Sequence, residues 1–220
     1  MTPEQCKQLR INYYVKITLI DEYIGRIVNT LKEKGLLDNT WIIYNSDHGE
    51  MLGDHFLSHK VVFYEGATRV PLIIRPPGGV DGWKCKGLTD HLDIAATLID
   101  IADATPLKES DGITLVPKVQ KGPNDPKAQE VKEVVFSEVY GFSMVRNDRY
   151  KMTVNTNSQK PVELFDLQSD PEELTNIVND PSMKEVRESL KAYLKSLLKK
   201  TDKEKLDKVK SLMKKVEKIL

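Results

Sequence analysis

Absences set the first limits on this sequence. It has two cysteines in 220 residues, Cys6 and Cys85, placed far apart in unlike contexts. That excludes a disulfide framework and a paired-thiol metal site. It has no apolar run near the ~18 residues that a membrane-spanning helix needs, and "MTPEQCKQLR" carries no apolar segment of the signal-peptide kind. The compartment therefore stays open. It has no net charge, with 33 Lys/Arg against 33 Asp/Glu, so its charge balance does not point to nucleic acid. The imbalance is local: residues 183–220 hold 13 Lys/Arg and 6 Asp/Glu, which makes that stretch +7 and the remainder −7. What is present, 40% hydrophobic and 30% charged residues, suits a globular chain of one large domain or a domain and a half.

Apolar residues recur at helical spacing from Leu9 to Lys34 (Ile11, Tyr14, Val15, Leu19, Ile24, Ile27, Val28, Leu31), with Gly35 as the stop. The spacing predicts a long helix packed on a partner layer. "WIIY" at 41–44 and "VPLIIRPP" at 70–77 read as short strands covered on both faces, and "DHLDIAATLIDIA" at 90–102 as an amphipathic helix with an acidic cap. Residues 103–132 turn polar and proline-rich, as a long surface loop would. Beyond them the period changes: "EVVFSEVY", "FSMVRNDR", "YKMTVNT" and "VELFDL" read as strands of an antiparallel meander. A helix is expected to start in "SDPEEL", another to run from about Pro181 to Lys200, and an amphipathic, Lys-rich helix to fill 201–220. The fold class is therefore α/β, a sheet flanked by helices followed by a small α+β subdomain. The expected segments are 1–132, 133–200 and a tail at 201–220.

Four histidines, His48, His55, His59 and His91, fall in one region, and the first follows a strand end. Open α/β sheets bind ligands at the carboxyl ends of their strands, which is where Asp47 and His48 stand in "SDHGEMLGDH". A carboxylate oxygen beside an imidazole nitrogen suits a divalent cation. A capped turn with solvent-facing polar residues accounts for the same letters. Gly49 and Gly53 allow a close backbone turn around an ion.

The ordered stretch "IIYNSDHGEMLGDHFLSHKVVFYEGATRVPLIIRPPG" resembles the sulfatase family of the alkaline phosphatase superfamily. The resemblance continues in "YYVKITLIDEYIGRIVNTLKEKGLLDNT", "TDHLDIAATLIDIA", "MVRNDRYKM" and "ELFDLQSDPEELTNI", and so covers about Leu9 to Lys200. It implies an alkaline-phosphatase-like sheet. It makes Asp47 and His48 two of the metal ligands, and Lys60 the catalytic lysine that touches the sulfate oxygens. Calcium is the usual ion of such a family, while the imidazole also permits manganese or zinc. His55 and His59 are candidates to line the substrate pocket, and His91 reads as a helix-capping or supporting residue. "YEGATRVP" reads as architecture, with Arg69 expected to pair with a carboxylate.

The same resemblance implies a formylglycine nucleophile in a C-x-P-x-R motif and an early Asp-Asp pair. Neither stands in this sequence; "CKQLR" has the Cys and Arg at the right interval but no proline. The chain thus matches the C-terminal half of the family pattern, and its partner is expected to be the missing N-terminal half together with a sulfate ester. Alone it is expected to be inactive, and an uncovered sheet face favours self-association. Two other readings stay open: a phosphonate or phosphate monoester hydrolase, because His48 takes a place where many sulfatases have Asn, and a non-catalytic module with a vestigial pocket, whose basic tail binds an acidic partner or a membrane surface.

Overall fold

The computed structural model describes residues 2–80, 82–85, 87–108, 110–121 and 132–199, and the chain divides into two units, Met1–Glu133 and Val134–Leu220. The expected tail helix at 201–220 lies outside the described residues.

The first unit opens with helix α1, Pro3–Glu33. It starts earlier than its apolar stripe because Thr2 and Gln5 form a capping box: the Thr2 hydroxyl accepts from the Gln5 amide at 3.2 Å, and the Gln5 side chain accepts from the Thr2 amide at 2.8 Å. Gly35 closes the helix as expected. None of its residues is buried, and Tyr14, Val15 and Ile27 are among the exposed apolar side chains. The expected partner layer is therefore not seen along α1. At 31 residues the helix is about 46 Å long, and the short strands of this unit cannot cover it.

Strand β1, Ile42–Asn45, pairs antiparallel with β2, Leu72–Arg75, in the register Ile42 to Arg75 and Asn45 to Leu72. The expectation of strands covered on both faces is corrected here. Every residue of β1 is only half-buried, and Ile73 of β2 is 62% exposed. Two strands alone present both faces to their surroundings, and no third joins them among the described residues. Between them lies one turn of helix, α2, Glu65–Thr68.

Helix α3, His91–Ile101, is capped as its sequence suggested: the Asp90 carboxylate accepts from the Leu92 amide, and the Asp93 carboxylate from the Asp90 amide, each at 3.0 Å. Asp93 is fully buried and saturated. It also accepts from the Ile113 amide at 2.8 Å and pairs with Lys132, whose Nζ lies 2.7 Å from both Asp93 and Asp90. Thr97 accepts from the Leu115 amide at 2.9 Å, so residues 112–115 are strapped along α3. The strap fits because a β-carbon on Gly112 would stand 2.2 Å from the Leu92 carbonyl oxygen. The polar stretch expected to be a plain loop also contains a short helix, α4, Val116–Lys121.

The second unit is the meander. Strands β3 (Val135–Val139), β4 (Phe142–Arg146), β5 (Tyr150–Asn155) and β6 (Pro161–Asp166) pair antiparallel in chain order. Helix α5, Lys184–Lys199, lays Leu190 and Leu194 on Val145, Met152, Val154 and Leu164, all fully buried. Alternation along β5 turns Lys151 to the face opposite Met152. There it forms a fully buried ion pair with Glu173.

That pair explains one departure from the sequence reading. "SDPEEL" forms a turn instead of a helix. Glu173 adopts a left-handed φ of 58°, which no continuing helix tolerates, and the Asp170 carboxylate accepts from the amides of Leu174 and Thr175 at 3.0 and 2.8 Å. The burial of Glu173 against Lys151 outweighs the local helix-start signals.

Candidate metal centre

From Ser46 the chain leaves the ladder at the end of β1 and turns through Asp47, His48 and Gly49. Gly49 is required by its neighbour instead of by an ion. A β-carbon there would stand 2.0 Å from the Gly66 carbonyl oxygen, and the Gly49 amide donates to the Ala67 carbonyl at 2.8 Å. The "SDHG" turn is thus pressed onto α2, with Met51 buried beside Gly66. This is what "YEGA" does in the fold. Arg69, expected to find a carboxylate, has none among the described residues; Arg75 does, with its Nη2 3.5 Å from Asp38.

The Nδ1 of His48 lies 2.8 Å from the Gly49 carbonyl oxygen. A carbonyl only accepts, so Nδ1 carries a proton, and in the neutral form of the ring the lone pair stands on Nε2. Nε2 lies 3.3 Å from Asp47 Oδ2, while Asp47 Oδ1 accepts from the His48 amide at 2.9 Å. The His48 amide, as the main cause, holds the Asp47 carboxyl below its ordinary pKa, and the positive charge of Lys60 acts in the same direction. An anionic oxygen and an imidazole lone pair therefore converge at the strand end. Two ligands at roughly 2.1 Å from one ion, about 100° apart, are separated by about 3.2 Å, so the pair suits a divalent cation. Among the described residues no third His, Cys, Asp or Glu joins them.

Lys60 leaves from a loop tied to the same turn. The Glu50 carboxylate accepts from the His59 amide, and the Met51 amide donates to the His59 carbonyl at 3.1 Å. His59 meets the site through its backbone, in a left-handed conformation with φ 72°. The His55 ring lies flat on Tyr64, with centroids 3.9 Å apart and planes 8° from parallel. Asp54 forms an ion pair with Arg10 of α1 at 2.6 Å, and Arg10 also donates to the Leu52 carbonyl at 3.0 Å. The two Asp-His pairs of "SDHGEMLGDH" are therefore unlike: the first converges, and the second is spent on packing and an ion pair.

One residue, Glu50, escaped the sequence reading, and a second, His91, was read only as helix-capping or supporting, without its partner. Glu50 holds the His59 loop. His91, the first residue of α3, brings its Nε2 to 2.9 Å from the Ser46 carbonyl oxygen. An acid next to a metal-type motif was a usable signal for the first. Nothing local signals the second, since its partner lies 45 residues away.

An α/β unit with an Asp-His pair at a strand end, followed by an antiparallel meander with its own helix, defines the alkaline-phosphatase-like class. Solved structures agree: the phosphonate monoester hydrolase of Agrobacterium radiobacter matches with a TM-score of 0.76 at 32% identity, over 91% of this chain and 42% of that one. The chain belongs to the sulfatase family of the alkaline phosphatase superfamily, and the family model described as Sulfatase matches residues 2–104. It is 35% identical to a choline-sulfatase of Rhizobium meliloti (strain 1021) over 185 residues, covering 82% of this chain and 35% of the relative. It is 31% identical to arylsulfatase K of Gallus gallus over 206 residues, covering 90% and 38%. The chain thus spans little more than a third of the length of these curated relatives.

Proposed function

We propose that this chain supplies the cation-binding and anion-steadying side of a sulfuric ester hydrolase site. The observation that carries the reading is the convergence of His48 Nε2 and Asp47 Oδ2, with Nδ1 of His48 held protonated by the Gly49 carbonyl. Asp47 and His48 hold a divalent cation, calcium in the first instance, with manganese or zinc compatible with the imidazole. When bound, that cation supplies positive charge to oxygens of the ester group. Lys60, whose charge already reaches Asp47, adds an ammonium on the same side and steadies the developing negative charge of the transferring group. His55 and His59 border this region as wall residues, one through its ring on Tyr64 and one through its backbone.

The formylglycine nucleophile of the family falls on no residue of this chain. Cys6 and Arg10 are both on α1, and Arg10 is engaged with Asp54. Turnover therefore needs groups from beyond these 220 residues, and the chain alone is inactive. The test is turnover of 4-nitrophenyl sulfate by the polypeptide expressed from its own gene and by the 220-residue chain. Hydrolysis by the isolated chain would overturn this division of labour.

A second reading within the superfamily is hydrolysis of phosphonate monoesters. The similarity to the Agrobacterium radiobacter enzyme favours it. Comparing 4-nitrophenyl sulfate with 4-nitrophenyl phenylphosphonate on the full gene product separates the two.

A further inference from the structure

We propose that His91 is a positioning residue: its ring fixes the peptide on which Asp47 hangs, and through it the convergence of Asp47 and His48. The inference rests on reading those two residues as a cation pair. Strand β1 ends at Asn45, so the Ser46 carbonyl has no ladder partner. Its close donor is His91 Nε2 at 2.9 Å; the Asn45 side-chain amide is a weaker neighbour at 3.4 Å. The Ser46 carbonyl and the Asp47 nitrogen belong to one rigid peptide plane, so holding the oxygen sets the direction in which Asp47 leaves the strand. The Ser46 hydroxyl adds a second tie inside the turn, donating to the His48 carbonyl at 2.8 Å.

Helix capping does not account for His91. Asp90 caps the helix, and Asp93 returns the second bond of the capping box, so the helix start is satisfied without the imidazole. The first turn of α3 is instead a fixed post. Asp93 is fully buried, Lys132 ties Asp90 and Asp93 together at 2.7 Å to each, and the Ile113 amide is bound to Asp93 at 2.8 Å. A ring extended from such a post can hold a loop 45 residues away in sequence. Because the Ser46 carbonyl only accepts, His91 acts with its proton on Nε2, as an N–H donor and not as a ligand.

The test uses the full 220-residue chain and the variants His91→Phe and His91→Gln. Two measurements are made: hydrogen exchange of the His48 and Gly49 amides without metal, and titration with Mn2+ alone followed by broadening of the His48 ring signals. Loss of a supporting hydrogen bond of this kind should weaken Mn2+ binding roughly tenfold in His91→Phe, with a comparable rise in exchange at His48 and Gly49. Exchange in β2 and α3 and the melting temperature should stay as in the parent. His91→Gln, which still offers an N–H to the carbonyl, should return both readouts to within about twofold. Unchanged exchange in His91→Phe overturns the proposal whether or not Mn2+ binds, and so does a loss that glutamine fails to restore. If exchange responds as expected while the parent chain shows no Mn2+ binding, the positioning role stands and the cation reading of Asp47 and His48 falls.

Discussion

The Gly66 carbonyl oxygen lies 2.0 Å from where a β-carbon on Gly49 would be. No side chain fits between the "SDHG" turn and the "YEGA" turn. Gly49→Ala must push the two apart, which costs on the order of 1–3 kcal/mol and displaces His48, the adjoining residue. Urea denaturation followed by tryptophan fluorescence measures this well, because Trp41 and Trp83 both lie in the unit that contains the turn.

Asp47→Asn and Lys60→Met should move cation affinity in opposite directions. The asparagine loses the anionic oxygen, so Ca2+ and Mn2+ affinity falls by roughly tenfold or more. The lysine change removes a positive charge that already acts on Asp47, so cation affinity holds or rises, while turnover by the full gene product falls by roughly 100-fold or more. Calorimetric titration beside an ester assay reads both.

The Arg149 guanidinium grips Asp166 through Nε at 3.0 and 3.1 Å and Nη2 at 2.7 Å, and lowers the Asp166 pKa to about 2. A folded-state pKa below the unfolded value means that the stabilisation is complete above the unfolded pKa of 3.8 and is lost as pH falls through about 2. Melting of the second unit should therefore drop between pH 4 and 2 in the parent, and Arg149→Gln should flatten that drop. Circular dichroism melts across this range are the check.

Lys151 and Glu173 are buried together, so losing one partner strands a charge. Lys151→Met should destabilise the second unit by about 3–5 kcal/mol, whereas Lys151→Met combined with Glu173→Leu should recover much of that loss. A double mutant no better than the single would count against a dry pair.

Period and capping made most of the second unit and α3 readable from the sequence: the alternation in "YKMTVN" and the Asp90–Asp93 box are local signals, and local structure followed them. "SDPEEL" carried equally good local signals and did not follow, because Glu173, in a turn, is drawn to Lys151 on β5. The strands flanking the site looked fully covered from their composition, yet apolar letters record what a strand can bury and not how many layers are present. At the candidate site, the closeness of Asp47 and His48 was legible because a strand-end motif is contiguous. The tautomer of His48 was not, since it depends on which way the Gly49 carbonyl faces.

The fully buried aliphatic cluster around Leu164 belongs to the second unit, whereas the first unit carries the candidate site, the exposed side of α1 and both tryptophans. Heating should then produce two separate events, with the site-bearing unit going first. A fluorescence-monitored melt will register only that earlier event. Ligand screening by this signal watches the half of the molecule where a ligand would act, and circular dichroism would dilute the same shift with the later transition of its neighbour.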